Sequence, residues 1–177
     1  MTERKKYELT DEFIEHWSGK KLYRIKALID FGLVVAGAPG GFVESENNLD
    51  HNGNAWVYGN AEVYGDAEVY GNAEVYGNAR VYGDAEVYGN AWVYGNAEVY
   101  GNAEVCEQRS VIWFSVVGTE NGTLTIYKSK DGSLLATRGC FSGTVDEFLA
   151  KSAQVHDEKT KREYELLIEV AKSRILG

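Results

Sequence analysis

Between Gly53 and Cys106, apolar and polar positions alternate with a period of two inside a stricter period of six. The units read GNAWVY, GNAEVY, GDAEVY, GNAEVY, GNARVY, GDAEVY, GNAWVY, GNAEVY and GNAEVC. Ala and Val share one parity, the variable residue and Tyr the other, so the two pairs face opposite sides of a strand. Gly followed by Asn or Asp closes each unit, and these residue types tolerate the left-handed backbone of a tight corner. Self-similarity at a short fixed period predicts a solenoid. Three strand-and-corner units close a triangle of 18 residues, so nine units predict three complete coils of a left-handed parallel β-helix.

Aligning 53–70, 71–88 and 89–106 gives each side of the triangle its own chemistry. One side stacks Trp56, Glu74 and Trp92, with Tyr58, Tyr76 and Tyr94 beside them. A second carries Glu62, Arg80 and Glu98, a ladder in which the Arg sits between two carboxylates. The third carries Glu68, Glu86 and Glu104, with Asp66 and Asp84 nearby. Coils lie about 4.8 Å apart, which makes each column a set of contact neighbours. Only Ala and Val point inward, and bulkier residues there would force the coils apart.

A stack of coils exposes unpaired strand edges at both ends and needs caps. Residues 1–35 are expected to form the first cap, with one or two lead-in strands over 22–35. Segment 7–18, YELTDEFIEHWS, fits a short helix or a strand equally. The turn-rich stretch 36–52 reads as an irregular first coil, so the β-helix spans 36–108 with regular coils over 53–106. Beyond it, 109–177 reads as an α+β cap. VIWFSVV, LTIYKS and LLATRGCF, separated by GTENGT and KDGS, form an antiparallel meander. Thr144-Val145-Asp146-Glu147 has capping-box spacing and starts a helix through Val155. A second helix from about Asp157 to Leu176 carries an apolar stripe of Tyr164, Leu167, Ile168, Ala171 and Ile175. The fold class is therefore mainly β, a solenoid with a C-terminal α+β domain.

Charge and composition narrow the chemistry. The formal net charge is −9, and 53–106 hold Glu62, Asp66, Glu68, Glu74, Asp84, Glu86, Glu98 and Glu104 against Arg80 alone. That distribution argues against direct nucleic-acid binding, which needs Lys and Arg against phosphate. No apolar run is long enough for a membrane span, and the charged N-terminus lacks the apolar core of a signal peptide. Two cysteines, Cys106 and Cys140, do not make a disulfide framework, so a cytoplasmic setting is expected. Cys106 takes a Tyr slot and is expected to pack against the cap. His16, His51 and His156 are widely separated, so no metal site or cofactor is expected. Cys140 and His156 are the one pair able to serve as nucleophile and base, if the fold joins them. His51 reads as a turn residue.

The hexapeptides resemble those of left-handed β-helix acyltransferases and γ-class carbonic anhydrases. The segment RIKALIDFGLVVAGAPGGFVESENNLDHNGNAWVYGNA resembles uncharacterised bacterial and phage hexapeptide-repeat proteins often labelled acetyltransferases by fold alone, with AGAPGGFVESENNL as its most specific part. The resemblance implies the β-helix and, through the label, acyl transfer at a His near a protomer interface. The nine units contain no His and no interrupting loop.

Three functional readings follow. A non-catalytic protein-binding or scaffold protein, carried by a phage or mobile element, would dock its C-terminal domain or its rigid β-helix on a partner protein, with Trp56, Tyr58, Tyr76, Trp92 and Tyr94 as the candidate surface, because exposed aromatic patches of that size mark interfaces. The alternative for that side is that the chain's own termini cover it. An acyltransferase would place its site between protomers of a trimer and use His51 or His156. An acidic DNA mimic would present Asp66, Glu68, Asp84, Glu86 and Glu104 to a nucleic-acid-binding protein. Self-association as a dimer or trimer is compatible with the first reading, the acyltransferase predicts a trimer, and the mimic, only three coils long, needs a dimer or longer assembly.

Overall fold

The computed structural model describes residues 4–177; of the expected cap over 1–35, residues 1–3 lie outside the described residues. The repeat region winds as a β-solenoid of about four turns, followed by a C-terminal sheet with two helices. Before it come β1 (Tyr7–Glu15), β2 (Lys21–Ala27) and β3 (Pro39–Val43). The repeats supply two-residue strands: β4 (Trp56–Val57), β5 (Glu62–Val63), β6 (Glu68–Val69), β7 (Glu74–Val75), β8 (Arg80–Val81), β9 (Glu86–Val87), β10 (Trp92–Val93), β11 (Glu98–Val99) and β12 (Glu104–Val105).

Parallel pairing joins Trp56 to Glu74 and Glu74 to Trp92, Glu62 to Arg80 and Arg80 to Glu98, and Glu68 to Glu86 and Glu86 to Glu104. Each step is 18 residues, so three repeats make a turn. The irregular stretch adds a further turn below, where Phe42 pairs with Glu62 and Leu49 with Val69. Every repeat Ala and Val is fully buried. This is the physical basis of the sequence rule, since the narrow interior admits only these volumes. Glycine alone takes the positive φ at the corners, from Gly53 at +74° to Gly101 at +72°, while the following Asn or Asp keeps a negative φ. A Cβ on Gly53 would lie 2.6 Å from the Gly71 carbonyl of the next turn, so at that corner the turns stack too closely for any side chain.

Segment 7–18 resolves as a strand and turn rather than a helix: β1 pairs antiparallel with β2, and β2 with β3, extending one solenoid side into a six-stranded sheet, β1-β2-β3-β5-β8-β11. Gly40 and Gly41 permit this junction, because a Cβ on Gly40 would sit 2.5 Å from Ile25 Cγ1 and 2.7 Å from Trp56.

At the other end β13 (Val111–Val117), β14 (Gly122–Lys128), β15 (Leu134–Arg138) and β16 (Phe141–Thr144) form an antiparallel meander. Its two faces belong to different cores. Val111 and Tyr127 are buried against the solenoid, with Trp113 and Leu135 packed on them. Leu124, Ile126, Leu134 and Ala136 are buried against the helices α1 (Val145–Val155) and α2 (Glu158–Leu176), with Ile112 and Phe114 packed beside them. The unbroken apolar run in VIWF follows from this sandwiching, as strands buried on both faces lose their alternation. Thr144 caps α1 by accepting the Glu147 N–H at 3.1 Å. Tyr164, Ile168 and Ala171 of the expected stripe are buried, with Leu167 and Ile175 packed on them.

Candidate functional site

A solenoid end strand points N–H and C=O groups toward a turn that does not exist, and an unsatisfied strand edge recruits other chains. The protein seals most of these groups with side chains. At the lower end, Lys6 Nζ donates to Ala55 O at 2.6 Å and Tyr7 Oη donates to Leu49 O at 2.6 Å. Lys6 is 1% exposed and lies 4.8 Å from the Phe31 ring centre; burial pulls its ammonium down to about 8, with Asp50 opposing the shift. At the upper end, β11 meets three side chains of the meander. Thr125 Oγ1 accepts the Glu98 N–H at 3.1 Å, and Thr137 Oγ1 donates to Glu98 O at 2.7 Å. Tyr127 Oη accepts the Tyr100 N–H at 3.2 Å and donates to Tyr100 O at 2.9 Å. Next to it, β12 engages the β14–β15 turn, where Ala103 bridges Ser129 and the Lys130 N–H donates to Asn102 O at 2.9 Å.

The third upper strand, β10, is different. In the turn below, the Glu74 and Tyr76 N–H groups donate to Ala91 O and Val93 O at 3.0 Å each. Among the described residues, the equivalent Trp92 and Tyr94 N–H groups have no protein partner. Above this edge lies a depression of about 320 Å³ lined by Trp92, Tyr94, Gln108, Val111, Ile112, Trp113 and Arg174. Trp92 and Tyr94 are 40% and 39% exposed. Tyr94 stacks on Tyr76 at 4.7 Å and meets Trp113 edge-on at 4.5 Å, and Tyr76 meets Tyr58 at 6.3 Å. No ion pair engages Arg174 among the described residues.

The aromatic side expected as one flat surface is therefore divided. Trp56 is 1% exposed, covered by Phe31 at 5.2 Å and Tyr7 at 6.0 Å, so it belongs to the lower cap and not to an open surface. Tyr58 is half-buried, and burial beside the Glu74 carboxylate raises its hydroxyl. Tyr76 is half-buried as well, Trp92 and Tyr94 stay exposed, and Trp113, Arg174 and Gln108 join them from the C-terminal segment. Sequence reasoning missed those three, although Trp113 shares the parity of Val111 in a strand with two buried faces.

On the acidic side, Asp66, Glu68 and Asp84 are exposed, Glu86 lies 3.7 Å from Lys130, and Glu104 accepts the Tyr88 hydroxyl at 2.9 Å. Arg80 bridges Glu62 at 3.1 Å and Glu98 at 3.5 Å. His51 stacks on Tyr7 at 4.3 Å and accepts the Lys6 N–H through Nδ1 at 3.1 Å, a packed position rather than that of an accessible base. Cys140 and His156 line one cavity, together with Ser152, whose Oγ lies 2.8 Å from His156 Nδ1. Cys106 is half-buried and lies 4.0 Å from Ser110 Oγ.

A second exposed aromatic feature was not singled out by the sequence. Trp17, at the β1–β2 turn, is 90% exposed beside a trough whose floor is the Tyr64–Tyr82–Tyr100 ladder, with ring separations of 4.9 and 4.7 Å. Its signal was an indole in a polar turn, HWSGK, with no core parity to satisfy. The unpartnered N–H groups of β10 lie beside the exposed rings of Trp92 and Tyr94, which makes that edge the stronger candidate. No helix among the described residues is long and apolar enough to cross a membrane. No protein-family model matches this sequence, and no curated protein is similar to it.

Proposed function

We propose that this chain is a left-handed hexapeptide-repeat solenoid acting as a non-catalytic docking scaffold, which takes an extended segment of a partner protein as an added strand on β10. The observation that carries this reading is the edge itself. The main-chain N–H groups of Trp92 and Tyr94 lack partners on the side where the aromatic residues are exposed, while side chains occupy the neighbouring edge of β11. An extended main chain offers donors and acceptors at strand spacing, which is the basis of recognition by strand addition. Trp92, Tyr94 and Trp113 supply rigid contact area for an apolar side chain of that strand, and Arg174 favours an acidic residue or terminal carboxylate beside it. Inward-facing Ala and Val with glycine corners every six residues support the left-handed winding.

The test is selection from a random peptide library on immobilised protein, followed by affinity measurement of the enriched peptides. Peptides that lose binding on Trp92→Ser and on N-methylation of alternate backbone nitrogens support strand addition. Enrichment that survives both changes, or no enrichment over a carrier surface, removes the proposal. A concentration-dependent rise in mass by light scattering, abolished by Trp92→Ser, would identify the occupant as a second copy.

A further inference from the structure

A separate cavity of about 280 Å³ lies between the β15–β16 turn and the helices, lined by Glu120, Arg138, Cys140, Lys151, Ser152, His156 and an aromatic wall. Its charges are unusual for a chain of net charge −9: three basic side chains converge, with one carboxylate at the rim. Arg138 has a side-chain exposure of only 12%. Its Nε donates to Tyr164 Oη at 3.1 Å and Nη2 to Val117 O at 3.5 Å. The carboxylate facing it, Glu120, is 82% exposed and 4.0 Å away. An ion pair of that kind, with one partner in bulk water, compensates little of the cost of withdrawing a guanidinium from solvent.

His156 is oriented by Ser152, which engages Nδ1 at 2.8 Å and leaves Nε2 without a protein partner among the described residues. Lys151 lies 5.7 Å from the Phe141 ring centre, on the same wall. Phe141 and Phe148 meet at 5.3 Å, and Phe148 and Tyr164 at 4.9 Å, both edge-on, which fixes an apolar surface beside Lys151 and Arg138.

We propose that this cavity binds a small organic anion, its carboxylate or phosphate on Arg138, Lys151 and His156 and its apolar body on Phe141 and Phe148. The volume is at the lower end of small-molecule sites, and a guanidinium with weak internal compensation is suited to an oxyanion. Cys140 and Ser152 are lining groups in this reading, with no chemistry assigned to them. The site is independent of the β10 edge.

The test uses the full chain with benzoate, inorganic phosphate and the neutral isostere benzamide as probes. Binding is followed by amide chemical shifts and by protection of the exposed Cys140 from alkylation. Saturable binding of benzoate or phosphate is expected, with shifts at Gly139, Cys140, Ser152 and His156, and benzamide at least about tenfold weaker, as loss of one charge-assisted hydrogen bond implies. Benzoate binding alone identifies a carboxylate site; phosphate binding alone identifies a phosphate site. Arg138→Gln removes the main contact but also the bond to Tyr164, so exposed Lys151→Gln is the second variant, expected to weaken binding several-fold with an unchanged melting curve. Benzamide binding as well as benzoate, Lys151→Gln binding like wild type, or no saturable shift with either anion overturns the proposal.

Discussion

Tyr127→Phe isolates how the upper end of the solenoid is closed. Tyr127 is 1% exposed and its hydroxyl serves two main-chain groups of Tyr100, donating to the carbonyl at 2.9 Å and accepting the N–H at 3.2 Å. The substitution keeps the ring and its packing but strips both groups of their partner. Each buried main-chain group left unpaired costs about 1–3 kcal/mol. Since the hydroxyl's own desolvation cost is relieved, the net destabilisation should be about 2–4 kcal/mol. For a chain of this length that lowers the melting temperature by roughly 5–15 °C. Tyr76→Phe is the control, because the Tyr76 hydroxyl has no protein partner among the described residues; it should cost less than about 0.5 kcal/mol. Chemical denaturation of both variants, with amide exchange at Tyr100, measures the difference. Equal stability of the two variants would refute side-chain closure of the β11 edge.

Other consequences separate covered from open positions. Trp56→Ser should cost about 3–5 kcal/mol as a buried aromatic deletion, and Trp92→Ser less than about 1 kcal/mol, in the same denaturation assay; similar losses would contradict the division of the aromatic side. Burial raises the hydroxyls of Tyr7, Tyr64 and Tyr127 above their usual range, and that of Tyr82 to about 12. Their contribution is complete below about pH 10 and is lost as pH rises through the folded values, so tyrosinate absorbance should appear together with loss of far-ultraviolet dichroism. Ionisation of all tyrosines near pH 10 in a folded chain would contradict it. Lys6 has the opposite sign. Its folded value of about 8 lies below the unfolded value near 10.4, so the unfolded chain binds more protons between them and stability rises over that window; Lys6→Met should flatten the rise.

Much of the architecture was legible because local chemistry and global geometry agree in it. Glycine every sixth residue marks corners that only glycine can occupy, and Ala and Val at fixed parity mark an interior that admits nothing larger. The Thr144 cap and the Tyr164–Ile168–Ala171 stripe likewise encode α1 and α2 respectively within a few residues. What was not legible depends on contacts between distant segments. Trp56 and Trp92 occupy identical slots in the repeat, yet Phe31 and Tyr7 cover only the lower one. Thr125, Tyr127 and Thr137 read as ordinary strand residues until the meander is laid across β11. Cys140 and His156 come into one cavity only through the return of α1 over β16.

The most direct measurement is residue-resolved amide hydrogen exchange on the free protein, comparing two neighbouring upper edges. The Glu98 and Tyr100 amides should exchange slowly, held by Thr125 and Tyr127, while those of Trp92 and Tyr94 exchange at rates near the unstructured chain. A selected peptide should then slow Trp92 and Tyr94 and leave Glu98 and Tyr100 unchanged. Trp92 and Tyr94 amides already as protected as Glu98 and Tyr100 in the free protein would contradict the account.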